Sequence, residues 1–228
     1  MKKTDISILL PSLREDLLKR TIEEFAKTNF NVNYEIVVVS PFPIKTDKVV
    51  WLKENKRRGS VSATNIAYQF SKGNYKIYFS DDVSPNKDCL KNMLDFMETN
   101  KPPFIGAFKM MNTSEEIGPF GAYDKLYACY GCLSKETIQL IGGFFNLSFM
   151  YSWADIDLSL RCWEIGGEVK ICQNAIVLPR QVNDKIYQDH RNTFQKDFET
   201  FTNIWHDKLG KDIPREDGKV NRRLYDNI

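Results

Sequence analysis

Apolar positions recur along the first half of the chain in two alternating rhythms. Ile6–Leu10 (ISILL) and Glu35–Val39 (EIVVV) are short runs that read as buried strands, and between them residues 15–28 set Leu18, Ile22, Phe25 and Ala26 at helical spacing. Val49–Leu52 reads as a short third strand. Gly59-Ser60 interrupts the chain, 61–71 (VSATNIAYQFS) reads as a helix closed by Gly73, and Tyr75–Phe79 (YKIYF) is the next strand. Pro85-Asn86 then starts a helix reaching Glu98. Strands and helices alternating in this way predict an α/β fold, a Rossmann-like, mainly parallel sheet flanked by helices.

After residue 100 the rhythm weakens. Phe104–Met111 and Leu126–Leu133 read as strands around a Gly/Pro-rich loop, Ile117–Tyr123, and Gly142-Gly143 marks a turn or a close approach. Asp155–Ile165 reads as a helix, and Val169–Val177 mixes strand and turn signals. Arg191–Leu209 reads as a helix whose stripe of Phe194, Phe198, Phe201, Ile204 and Trp205 points to core or dimer packing. One domain over residues 1–210 follows, its halves meeting near residue 100, with a charged, Asn-containing tail at 211–228.

Composition narrows the function classes. Apolar residues make up 42% of the chain, enough for one sizeable core, and 32 Lys+Arg stand against 30 Asp+Glu. That balance lacks the footprint of a nucleic-acid binder. Pro11, Arg14, Glu15 and Asp16 end the first apolar run, far short of the roughly 18 residues a membrane span needs. The expectation is a cytoplasmic protein, at most peripheral to a membrane. Five cysteines include a C-x-x-C at Cys129 and Cys132. Three apart on a strand they face opposite ways, so they read as reduced thiols rather than a zinc pair.

Two acidic sites carry candidate chemistry. Asp81 and Asp82 follow an apolar strand, where open α/β sheets bind ligands. A divalent cation such as Mn²⁺ or Mg²⁺ takes carboxylate and phosphate oxygens there, although an N-cap and turn would also use Asp. Asp155 and Asp157 fall at the start of the later helix, where the dipole favours ionised carboxylates. Two positions apart they do not share a face, so they should do different jobs.

At this point the chain resembles glycosyltransferase family 2, the inverting enzymes with the GT-A fold. NKRRGSVSATNIAYQFSKGNYKIYFSDDVSPNKDCL is similar to the family's nucleotide-sugar half, and YGCLSKETIQLIGGFFNLSFMYSWADIDLSLRCWEIGG to its acceptor half. ISILLPSLRE and EIVVVS resemble the first two strands, so the resemblance runs from about residue 5 to 178, with four blocks in matching order. It implies a nucleotide-diphosphate sugar donor, a glycan, lipid-linked or protein acceptor, and a role in bacterial-type polysaccharide or glycoconjugate synthesis. It implies Asp82 as a metal ligand, Asp81 by the ribose or metal, and Asp155 as catalytic base. Pro11, Ser12 and Arg14 match the first nucleotide-contacting loop, Ser40 ends the second strand beside it, and Asn65 matches an Asn after small residues. Asp157 and Arg161 would support the base-bearing helix, and Gly142 and Gly143 would let the backbone approach the sugars.

The chain departs from that pattern in three places. Ser40-Pro41-Phe42-Pro43 replaces an Asp-Asp-Gly-Ser whose Asp reads the base, Ser80 replaces the first metal-site Asp, and Ala154 replaces a Glu. Base discrimination is therefore expected to be weak unless another residue compensates. His190, in a loop before the last helix, is a candidate third metal ligand or simply a polar residue at a helix start. Trp153 beside Asp155 is the candidate for stacking on a sugar, and Arg180 and Arg191 are candidate phosphate contacts. Two rivals remain: a sugar-phosphate nucleotidyltransferase, for which PSLRED lacks the glycines, and a catalytically silent nucleotide-sugar or glycan-binding module.

Overall fold

A computed structural model describes residues 4–29, 31–112, 115–122 and 125–209. The 211–228 tail lies outside them. The parallel half forms as its periodicity predicts. Strands β1 (Ile6–Pro11), β2 (Tyr34–Ser40), β3 (Val49–Lys53) and β4 (Tyr75–Tyr78) stand in the order β3-β2-β1-β4. Helices α1 (Glu15–Thr28), α2 (Ser60–Phe70) and α3 (Cys89–Thr99) connect them or follow. Alternate strand residues feed opposite faces of the sheet. Ile8, Leu10, Ile36 and Val38 pack with α1 and α3 through Phe25, Leu90 and Met93, while Leu9, Val37 and Val39 pack with α2 through Ala63 and Ala67.

The second half turns the sheet mixed. Strand β10 (Gly131–Ser134) enters antiparallel between β4 and β6 (Phe104–Met111), and β11 (Glu168–Pro179) lies parallel to β6. Short strands β7 (Glu116–Gly118) and β8 (Phe120–Ala122) occupy much of the segment expected as loop, and β9 (Lys125–Tyr127) follows it. Helix α5 (Ala154–Glu164) and the short α4 (Lys135–Leu140) cover the α2 face. The fold is a mixed α/β sheet flanked by helices, the class the alternating pattern predicts.

Four boundaries differ from the sequence expectation. Leu126–Leu133 is two strands, because Ala128 between them is bonded elsewhere: its carbonyl accepts from Tyr78 Oη at 2.5 Å and its N–H donates to Ser159 Oγ at 3.2 Å. Pro85 ends a strand, β5 (Val83–Pro85), paired antiparallel to β11, so α3 starts only at Cys89. Ser134 caps α4, which the sequence reading did not contain, by accepting from Thr137 N at 3.0 Å. The last helix, α6 (Lys185–Leu209), begins before Arg191, because Asp184 Oδ1 accepts from Tyr187 N at 2.8 Å and opens the helix there.

The aromatic stripe packs within its own chain: Phe201 and Trp205 are buried in a cluster with Phe149, Trp153 and Leu160. All five cysteines are free, and Cys129 is the one not fully buried. No described helix is long and apolar enough to cross a membrane.

Candidate active site

A cavity of about 480 Å³ opens where the loops after β1 and β4 meet the start of α5 and one side of α6. One wall of the cavity is a hydrogen-bonded knot. Ser12 follows Pro11 at the end of β1, and its hydroxyl donates to Asp81 Oδ2 at 2.6 Å. Arg14 Nη1 bonds Asp81 Oδ1 at 3.0 Å, while its Nε and Nη2 take both oxygens of Asp184 at 2.6 and 3.1 Å. Burial pushes the Asp81 carboxyl up, with Ser12 and Arg14 opposing that shift. Asp184 is instead held down at about 2, chiefly by its bonds from Arg14. Thr21 on α1 fixes the backbone of this turn by donating to the carbonyls of Asp81 and Val83 at 2.7 and 3.1 Å.

Asp82 also lines the cavity, and the Ser80 hydroxyl donates to its Oδ1. Ser80 therefore orients the Asp82 carboxylate. Tyr130 Oη lies 3.0 Å from Ser80 Oγ and extends the contact to the segment between β9 and β10. Arg180 N donates to Asp82 O at 2.7 Å, and the Arg180 guanidinium pairs with Glu24, so it holds the turn from behind.

Another wall starts at α5. Trp153 precedes it in the left-handed region at φ 68° and delivers Asp155 into the cavity on the first turn. Burial pushes the Asp155 carboxyl up to about 6, countered by its own N–H, that of Ile156 and the Cys129 thiol. Asp157 points away. It is buried, pairs with Arg161 Nε at 2.9 Å and accepts from Trp205 Nε1 at 3.0 Å. Arg161 in turn donates to the carbonyls of Ile141, Gly143 and Phe144 at 3.0, 2.9 and 2.5 Å. Two neighbouring carboxylates on opposite faces thus serve different ends, one facing the cavity and one supporting the helix.

Several expected residues sit elsewhere. Gly142 and Gly143 adopt φ of 81° and 122°, and beyond the adjoining residues nothing lies within 4 Å of a Cβ built at either. Backbone conformation, not close approach, explains glycine at both, and neither lines the cavity. Asn65 donates to Phe145 O at 2.8 Å and ties α2 to the acceptor segment. Ser40 is fully buried and donates to Phe42 O at 2.6 Å, out of the cavity. Arg191 is not among the lining residues either. His190 does line the cavity, but from within α6 rather than from a loop, with its ring stacked on Tyr151 at 4.0 Å. Burial and then the charges of Arg14 and Arg57 lower its pKa. No cluster of three His, Cys, Asp or Glu side chains arranged for a metal occurs among the described residues. Trp153 borders the cavity with only 6% exposure, packed against Phe194, Phe198 and Phe201 at 4.9–5.6 Å. That leaves little of its ring for a sugar.

Two residues escaped the sequence reading. Glu54 follows β3, its N–H donates to Ser40 O at 2.9 Å, and its carboxyl lines the cavity and is pushed up by burial. An acidic residue just past a predicted strand was the available signal. Asp197 on α6 is buried and accepts from the N–H groups of Met150, Tyr151 and Ser152 at 2.9, 2.8 and 2.8 Å. It anchors the segment leading to Trp153, which also rests on the start of α2: Met150 O accepts from Val61 N at 3.2 Å, and a Cβ on Gly59 would collide with that carbonyl.

Comparison with known proteins bears on the fold. Residues 7–116 match the glycosyl transferase family 2 model. No curated protein matches the chain significantly. Among solved structures, *S. aureus* TarS residues 1–349 with UDP-GlcNAc superposes with a TM-score of 0.70 at 14% identity, over 92% of this chain and 68% of that one. A longer *S. aureus* TarS structure gives 0.61 at 15% identity over 88% of this chain, and GalNAc-T7 with UDP, GalNAc and Mn²⁺ gives 0.62 at 14% over 78%. This chain spans 40% and 44% of the length of those last two. In sequence, residues 7–116 match glycosyl transferase family 2, and the fold of the chain as a whole is that of the GT-A glycosyltransferases.

Proposed function

We propose that the protein is a metal-dependent, inverting glycosyltransferase that moves a sugar from a nucleotide-diphosphate sugar to an acceptor hydroxyl. The observation carrying this reading is a single cavity with Asp81 and Asp82 on one wall and Asp155 on another. Asp155 takes the proton of the acceptor hydroxyl as that oxygen bonds the anomeric carbon. The carbon–oxygen bond to the diphosphate breaks, and the diphosphate leaves with the electron pair. One displacement of this kind inverts the anomeric centre. A carboxyl with a pKa raised to about 6 is a stronger base than an ordinary Asp and is still ionised at neutral pH.

The donor set fits a hard divalent cation, Mn²⁺ or Mg²⁺. Four carboxylates, Glu54, Asp81, Asp82 and Asp155, face only two guanidinium groups, Arg14 and Arg57, in the cavity lining. A diphosphate adds further negative charge, so a cation entering with it relieves the repulsion. Such ions take one or two protein carboxylates and fill the rest of their shell with phosphate oxygens and water. Asp82 would hold the ion, with His190, which lines the same cavity, as the candidate second protein ligand. The bound ion would neutralise charge on the departing diphosphate. TarS with UDP-GlcNAc and GalNAc-T7 with UDP and Mn²⁺ support a uridine nucleotide and this class of cation. Glu54, desolvated and at the carboxyl end of β3, suits the missing base-reading Asp. The acceptor is a glycan, lipid-linked or protein hydroxyl, in bacterial-type polysaccharide or glycoconjugate synthesis. Incubation with UDP-sugars and Mn²⁺ tests the reading: release of UDP that depends on both supports it. A chain that binds UDP-sugar but never cleaves it would instead be a silent binding module.

A further inference from the structure

The two guanidinium groups of the cavity lining are differently engaged. Arg14 is held within the protein: its side chain is 14% exposed, and its three nitrogens bond Asp81 Oδ1 and both oxygens of Asp184 at 2.6–3.1 Å. Arg57, in the connection from β3 to α2, is held loosely. Its side chain is 38% exposed, and its Nη1 meets Asp189 Oδ2 of α6 at 3.0 Å, in a pair whose acidic partner is 39% exposed. Exposed pairs of this kind contribute little, because water competes for both ends.

The surroundings keep Arg57 at the cavity wall. Its guanidinium lies 5.9 Å from the centroid of the Tyr151 ring, and Tyr151 stacks on His190 at 4.0 Å, so the cation rests on an aromatic face. Arg57, Tyr151 and His190 all line the cavity, whereas Asp189 does not. Two residues on from Arg57, Gly59 opens α2, whose first turn also lines the cavity and carries no acidic residue.

We propose that Arg57 binds the diphosphate of the donor by exchanging Asp189 for it, which makes Asp189 a competitor built into α6. This rests on the cavity being the nucleotide-sugar site. A diphosphate offers paired oxygens that a guanidinium meets with two parallel charge-assisted hydrogen bonds, against the single contact to Asp189. The exchange transfers one positive charge from a surface carboxylate to the group that departs in the reaction. Arg14 cannot supply it without leaving Asp81 and Asp184 unpaired.

The test is calorimetry at fixed Mn²⁺ with UDP and, by displacement, with uridine, for wild type, Arg57→Gln, Asp189→Asn and the double variant. Arg57→Gln should weaken UDP by roughly ten- to hundredfold and leave uridine unchanged, since only the phosphates lose a partner. Asp189→Asn should act in the opposite direction and tighten UDP by roughly two- to fivefold. That gain should vanish in the double variant, where no guanidinium remains to be released. A pair with a merely structural role would instead weaken UDP in both single variants. An unchanged ratio of UDP to uridine affinity in Arg57→Gln overturns the proposal. So does unchanged or weaker UDP binding in Asp189→Asn, or a gain that persists in the double variant. If the wild type binds neither UDP nor uridine, the reading of the cavity as a nucleotide site fails, and this proposal fails with it.

Discussion

Replacing Asp197 by Ala should damage the acceptor side of the site from a distance. Its carboxylate accepts three main-chain N–H groups, of Met150, Tyr151 and Ser152, at 2.8–2.9 Å. Hydrogen bonds to a charged group contribute about 1.5–3 kcal/mol each. The three donors belong to partly exposed residues, so water can replace part of the loss and the low end applies. The sum is roughly 3–5 kcal/mol, which for a chain of this size lowers Tm by about 6–20 °C. Asp197→Asn keeps one carbonyl oxygen and should lose about half as much. Thermal and urea unfolding measure the stability. Calorimetry with UDP and Mn²⁺ at a temperature where the variant is folded should give near-normal affinity, because the Ser12–Asp81–Arg14 knot is held by its own hydrogen bonds and by Asp184. Acceptor KM should rise, since Tyr151, Ser152 and Trp153 line the cavity. A Tm within about 2 °C of wild type, equivalent to no more than about 1 kcal/mol, would refute the reasoning.

Asp155→Asn should cut transfer by roughly 10²–10⁴-fold with donor affinity unchanged, and a variant that transfers normally would exclude the base role. Because only ionised Asp155 accepts a proton, wild-type kcat/KM should fall as pH drops through about 6, and a flat profile from pH 8 to 5 would count against the assignment. Asp82→Ala should abolish Mn²⁺-dependent stabilisation by UDP in a thermal-shift assay; unchanged metal dependence would move the cation elsewhere. Glu54→Gln should flatten discrimination among four nucleoside diphosphates to within about tenfold, a gap of about 1.4 kcal/mol. If discrimination survives intact, the base is read by another group.

The parallel half was legible because each element buries a face that its own sequence marks. Ile6–Leu10 and Glu35–Val39 have apolar residues on both sides, and 15–28 has one apolar stripe, so pattern and packing agree. Asp81, Asp82 and Asp155 were legible for a related reason: strand ends and helix starts are local features, and the cavity lies where they meet. What stayed hidden depends on partners far along the chain. The break inside Leu126–Leu133 is made by Tyr78 and Ser159, and Asp197 acts on main chain that no periodicity describes. His190 was misplaced into a loop because the capping signal at Asp184 was passed over. Ser40 was expected at the nucleotide, but its hydroxyl is used by Phe42 O and Trp51 Nε1 instead.

The guanidinium of Arg14 joins three positions that are distant in sequence, 14, 81 and 184, into one unit of inheritance. Lysine cannot take its place, because a single ammonium cannot bond both oxygens of Asp184 while also reaching Asp81. A lineage that loses the arginine is left with a buried Asp81 without its cation, and one that loses Asp184 leaves a desolvated guanidinium with half its partners. Drift at any of the three should therefore be tolerated only where the others change with it, and the three columns should vary together among descendants of this chain.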